Sequence, residues 1–431
     1  MCNFITITIM KPEIHILSNG LRVVFIDTKA FSSITTLLLV GAGSRYENMG
    51  NNGIAHFFEH MAFKGSKKYP SSFLISSLVE GLGGVFNAFT GKDHTGYYIK
   101  ATNEHFNTVI DVLSDMVLNS LLIEEEIQRE KGVILEELNM YEDTPSRKIA
   151  DIYEGLLYKG NPLGYDIIGT KGNIKDFTRK VFINYIRELY NPENAVLVVA
   201  GGLGDKKKYL DIVKEKFLKW EKGKEINIKE AKESQKKPQT LVKYKKTEQA
   251  HLCLGFRAFS YFDKRKYALN VLSAILGAGM SSRLFIEVRE RRGLCYYISE
   301  DPSLYSDVGN ITIQAGITNN PNKVKEAVEV MLKEHKKVME GDVKKDELKK
   351  VKELLKGRLL LSMEDSFNVA YFAGRRLLLE GTVRTPGEII KRIEKVTRQD
   401  IIDVSSQVFD LKRLNFAIIG PFKQLKLDFR L

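Results

Sequence analysis

Cysteine is scarce in this chain of 431 residues: Cys2, Cys253 and Cys295 stand far apart, at spacings that suit neither a disulfide framework nor a metal cage. Such usage fits a reducing compartment, and a cytoplasmic protein is expected. Long apolar runs are missing as well. The longest candidates, Ile34–Val40 and Ala195–Ala200, are strand-sized and end at glycines, so no membrane span is expected. Near the start there is neither a basic segment leading into an apolar one nor an Arg-rich amphipathic presequence, and no secretory signal is read. Met10-Lys11 is a candidate natural start that would leave Met1–Ile9 as an upstream extension.

The net charge of +12 raises the question of nucleic acid. The lysines, however, are spread over surface helices and one linker, and no nucleic-acid motif accompanies them, so a solvated basic surface is the reading and no nucleic-acid partner is expected. What is present is a globular composition, with 43% apolar and 28% charged residues and enough length for two cores.

Two halves can be read along the chain. Residues 1–220 form the first and 240–431 the second, joined by a linker at 221–239 that is rich in Lys and Glu and ends with a proline. The halves resemble distant copies. Asn194–Gly201 closes the first as Leu414–Gly420 closes the second, and long helices opening at Glu126 and Glu347 repeat at a similar offset of about 220 residues. Strands are clearest at Leu21–Ile26, Ser33–Val40, Thr95–Lys100, Ala195–Ala200, Leu252–Arg257, Asn310–Ala315 and Asn415–Ile419. Helices are clearest at Ala55–Phe63, Glu104–Asn119, Glu124–Glu142, Lys264–Leu276 and Pro321–Glu340. The expected class is α+β, with two homologous half-domains, each a mostly antiparallel sheet with helices packed on one face.

The chemistry concentrates in His56-Phe57-Phe58-Glu59-His60. On a helix, residues four apart share a face, so both imidazoles can meet one metal ion. Glu59 projects beside the pair, placed to touch a water at the metal rather than the metal itself, which is the inverted zincin order. A catalytic zinc takes three protein ligands and keeps a position open, so a third ligand must come from elsewhere. In the carboxylate-rich helix Glu124–Glu142, Glu130 and Glu137 are seven apart and share one side, while Glu136 points about 100° away. One could bind the metal while the other orients a ligand histidine; geometry alone leaves the choice open.

These residues carry a resemblance to the pitrilysin/insulinase metallopeptidases, in the branch similar to the mitochondrial processing peptidase. Glu137 lies 77 positions after His60, where that family has its glutamate ligand, and Glu130 matches the accessory glutamate seven residues earlier. The resemblance extends over nearly the whole chain, Leu17–Val23 included. It implies one Zn2+ per chain, held by His56, His60 and Glu137, with Glu59 as general base of peptide-bond hydrolysis. It also implies that Asn87, Ala88, Phe89 and Thr90, which bare composition reads as part of a glycine-flanked hairpin, form an edge strand that receives peptide substrate. In Arg289–Tyr297, a basic helix end capped by Gly293, Arg289 and Tyr296 match a family pair seven apart. The tyrosine hydroxyl would stabilise the oxyanion, and Tyr297 is its rival. The second half has Tyr261–Lys266 where the histidine motif would fall. The resemblance further implies a homodimer in which the arginine-tyrosine pair serves the partner's zinc. The alternative is a non-catalytic subunit of a processing-peptidase-like complex. Gly277–Ser282 and Gly91–Asp93 lack the context of nucleotide-binding loops and are read as turns.

Overall fold

The computed structural model describes residues 11–223 and 226–431; the suggested extension before Met10 lies outside the described residues. Strands β1 (Glu13–Ile16), β2 (Arg22–Asp27), β3 (Ser33–Val40), β4 (Val85–Thr90), β5 (Thr95–Thr102) and β6 (Ala195–Gly201) form one sheet in the order β1-β2-β6-β3-β5-β4. Strands β7 (Gln239–Tyr244), β8 (Gln249–Ala258), β9 (Cys295–Leu304), β10 (Gly309–Thr318) and β11 (Leu414–Gly420) form a second, ordered β7-β11-β8-β10-β9. All pairings are antiparallel except β2 with β6 and β7 with β11. Once β1 is set aside, the two orders and directions coincide strand for strand. The internal repeat read from the sequence is therefore a repeat of topology, and the α+β class holds.

The central strands carry no polar alternation. β6 reads Ala-Val-Leu-Val-Val-Ala-Gly and is buried throughout, which is the pattern of a strand covered on both faces. In the first unit, α1 (Ile54–Met61) and α2 (Phe106–Leu118) cover one face. The other face takes α8 (Ser366–Glu380), counted after α3 (Glu124–Glu142), α4 (Pro145–Leu157), α5 (Lys266–Gly277), α6 (Pro321–Met339) and α7 (Lys345–Ser362). Val24, Ile26, Leu37, Leu39, Val196 and Val198 meet Val369, Ala370, Ala373 and Leu377 there. At about 1.5–3 kcal/mol per buried aliphatic side chain, this contact outweighs the buried Thr35–Ser366 hydrogen bond, worth about 1 kcal/mol. Gly374 allows the close approach: a Cβ there would lie 2.6 Å from Leu39 Cδ1 and 2.9 Å from Val198 Cγ2.

The second unit repeats the scheme. Ile149, Tyr153 and Leu157 of α4 pack on Cys253, Ala417 and Ile419. On the opposite face Phe256 meets Phe409, just after α9 (Arg398–Val408), and His335 of α6. Among the described residues, one compact unit thus comprises 11–138, Tyr165–Lys229 and Leu359–Glu388; the other comprises Asn139–Gly164, Glu230–Arg358 and Ile389–Leu431. Helices from the same half lie on one face of each sheet, as expected, and the far face is filled by a helix drawn from the other half of the chain. The sequence division at 1–220, 221–239 and 240–431 follows the chain, whereas packing follows these exchanged helices.

Candidate active site

Helix α1 is anchored by its apolar residues. Phe57 packs edge-on against Phe182 at 5.0 Å and Phe58 against Tyr190 at 4.9 Å, both phenylalanines being fully buried. With that side fixed, His56, Glu59 and His60 turn toward the opposite side. The helix starts at Gly53, whose φ of 100° and contact with Gly169 admit no side chain, so no cap comes from that residue. Glu47 supplies it from a distance: its buried carboxylate accepts hydrogen bonds from Gly53 N, Ala55 N and Asn52 Nδ2 at 2.8–2.9 Å. Burial raises its carboxyl to about 7, against the pull of those donors.

Helix α3 brings two further carboxylates, Glu130 and Glu137. Its buried stripe is Ile127, Glu130, Ile134 and Leu138, at helical spacing, so Glu130 is a carboxylate seated in an otherwise apolar row. Glu137 lies beside that stripe and Glu136 is exposed. Glu137 Oε2 is 3.7 Å from His56 Nε2 and 3.5 Å from His60 Nε2, and the three donor atoms all lie within 4.8 Å of one another. A tetrahedral ion bound at zinc distances holds its donors about 3.3–3.5 Å apart, so both carboxylate–imidazole distances match zinc within a few tenths of an ångström. Two imidazoles and one carboxylate also match the chemistry of a catalytic rather than a closed structural site.

The protonation pattern agrees. Burial, with His60 alongside, lowers the His56 imidazole to about 3, which keeps it neutral with a lone pair free for a metal. His60 Nδ1 donates to Glu130 Oε1 at 2.8 Å, leaving Nε2 to face Glu137. Burial would raise Glu130, but hydrogen bonds from His60 and Lys64 outweigh it and hold the carboxyl below its usual range. Lys64 Nζ stands 2.6 Å from Glu130 Oε2. Burial raises the carboxyl of Glu59, partly offset by Thr90, whose Oγ1 donates to Glu59 Oε2 at 2.6 Å.

Thr90 ends β4, the outermost strand of the first sheet, which pairs with β5 alone among the described residues. Ala88 and Thr90 face the side of α1, whereas Phe89 packs against Phe367 and Tyr371, and Asn87 is exposed. The other side of β4 is therefore an unpaired backbone edge beside Glu59. Arg289 and Tyr296 belong to the second unit. Arg289 lies within a π-helical turn at Phe285–Glu290, and its guanidinium lies 5.8 Å from the centre of the Tyr296 ring. Tyr296 is 71% exposed, whereas the Tyr297 hydroxyl is engaged with His251 Nδ1 at 3.0 Å. Sequence reasoning missed Glu47, Lys64 and the Thr90–Glu59 bond. The seven-residue spacing from Glu137 and the family resemblance marked Glu130 in advance; a cap contributed from outside its helix leaves no such mark.

Comparison with known proteins identifies the family. Residues 22–171 match the model of the insulinase family, peptidase family M16, and residues 176–355 match that of the M16 inactive domain. The chain belongs to peptidase family M16. It is 36% identical over 404 residues to the uncharacterized zinc protease YmxG of Bacillus subtilis, covering 94% of this chain and 97% of that one. An uncharacterized zinc protease of Streptomyces coelicolor is 32% identical, with 94% and 89% covered. The crystal structure of a protease from Helicobacter pylori superposes with a TM-score of 0.89 at 25% identity, covering 96% of this chain and all of that one. An M16 inactive domain from Pseudomonas fluorescens shares the fold, with a TM-score of 0.86 at 17% identity, 96% of this chain and all of that one being covered.

The His60–Glu130 bond makes a direct prediction. Glu130→Ala should weaken zinc binding by about 10–100-fold in chelator competition, the range typical for loss of a group that orients a metal ligand. An affinity equal to that of the unaltered protein would remove Glu130 from the site.

Proposed function

We propose that this M16 protein is a zinc-dependent endopeptidase acting on peptides and unfolded or precursor segments. The observation that carries the reading is the convergence of His56, His60 and Glu137 on one point, with Glu59 held by Thr90 at the end of an unpaired strand. Zinc, when bound, supplies a Lewis acid that polarises the scissile carbonyl and lowers the pKa of a coordinated water towards neutrality. Glu59 takes the proton of the attacking water and delivers it to the leaving amine. Its carboxyl is raised by burial, which suits a group that must hold a proton between two transfers, and the Thr90 hydroxyl fixes one oxygen so that the other does the work. The edge of β4 aligns an extended substrate through main-chain hydrogen bonds, which accept many side chains. Tyr296 donates its hydroxyl to the developing oxyanion, with Arg289 steadying the ring.

The single ligand cluster found among the described residues supports one ion per chain. A homodimer in which the Arg289–Tyr296 pair serves the partner's metal accounts for a chain that carries both motifs. The two buried, unbridged cysteines, Cys253 and Cys295, support residence in a reducing cytoplasm. Among the described residues no helix is long and apolar enough to cross a membrane.

Glu59→Gln should keep its zinc content while the rate of peptide cleavage falls by at least about 10²–10⁴-fold, the contribution of a general acid-base. Activity that survives would assign the base elsewhere. For the shared site, refolding Glu59→Gln together with Tyr296→Phe should restore roughly a quarter of native activity through mixed dimers that hold one intact centre. Failure to recover any activity would place both motifs in one subunit's centre.

A further inference from the structure

Tyr296 stands outside the regular ladder. Between β9 and β10 the pairing runs Ala315 with Ile298 and Gly316 with Tyr297, then jumps to Ile317 with Cys295. Tyr296 is thus the additional residue of a β-bulge, without a cross-strand partner, and this turns its side chain out of the pleat. A bulge can also slip. Moving the mismatch by one residue would return Tyr296 to the ladder and send its hydroxyl to the other face.

The neighbouring residue holds it in place. Gly316 lies in one row of the sheet with His251 of β8 on one side and Tyr297 of β9 on the other. A Cβ at Gly316 would come within 2.4 Å of Tyr297 Cε1, so the ring can lie across the middle strand only because that position is glycine. The hydroxyl thereby reaches the strand beyond. It shares a 3.0 Å hydrogen bond with His251 Nδ1, the two rings being inclined by 24°. On the other side of the bulge, Leu294 accepts from Thr318 N and donates to Val288 O, both at 3.0 Å. The segment is pinned on both flanks, and only Tyr296 projects between the pins.

We infer that His251, Gly316 and Tyr297 are positioning residues: a clamp, built across three strands, that fixes the bulge and so aims Tyr296. The inference rests on the oxyanion role proposed for Tyr296, and it gives Tyr297 a different task from that of a rival donor.

The test is a set of double-mutant cycles on the full chain, reading kcat and KM on a fluorogenic peptide together with zinc content. His251→Ala, Tyr297→Phe and Gly316→Ala should each lower kcat by roughly three- to tenfold, within the lower part of the range of coupling between touching residues, with KM and zinc content little changed. His251→Asn, which keeps a hydrogen-bonding atom near the place of Nδ1, should recover most of the loss. In a Tyr296→Phe background the same three changes should cost almost nothing. Equal losses in both backgrounds would show general damage to the sheet and overturn the clamp alone. A Tyr296→Phe enzyme with undiminished kcat would overturn the oxyanion role, and the clamp with it.

Discussion

The hydrogen bond between His60 and Glu130 joins two helices whose contacting residues are 70 positions apart, and the site depends on it. It fixes the imidazole's tautomer, turns Nε2 toward Glu137 and seats a carboxylate within an apolar helix face. A buried carboxylate without donors would be costly, by several kcal/mol in its ionised form. Glu130 avoids that cost because His60 and Lys64 both address it, so its charge and its position are secured together. Once α3 is docked through Ile127, Ile134 and Leu138, Glu137 arrives beside the two imidazoles by helical geometry alone.

The same economy governs α1. Its two phenylalanines decide which side faces the core, and Glu47 satisfies the amide groups that Gly53 leaves bare. The two imidazoles need no adjustment of their own, because the rotation and starting point of the helix are both fixed by residues outside the His56–His60–Glu137 cluster. This arrangement leaves the cluster partly open, with His60 and Glu137 each retaining about a fifth of their side-chain exposure.

Much of this was legible in the sequence where a single element carries the information. The spacing of His56, Glu59 and His60 is a helix-face statement, and so is the separation of Glu130 from Glu137. The central strands announced themselves by apolar runs ending in glycine, and the near-repeat at about 220 residues reappears as one strand order used twice. What the sequence concealed depends on contacts between distant segments. That both faces of each sheet are covered follows from the uniform burial of strands such as β6, but nothing local to Ser366–Glu380 says which sheet it will choose. The bulge at Tyr296 is equally silent, since it is created by the mismatch of β9 with β10 and by the bare Cα of Gly316 in a neighbouring strand.

Zinc K-edge X-ray absorption on the metal-loaded chain tests the central claim most directly. Nitrogen and oxygen donors are expected at about 2.0–2.1 Å, with outer-shell scattering from two imidazoles that falls to one in His56→Ala. A sulfur shell at about 2.3 Å, or an imidazole count that His56→Ala leaves unchanged, would contradict it.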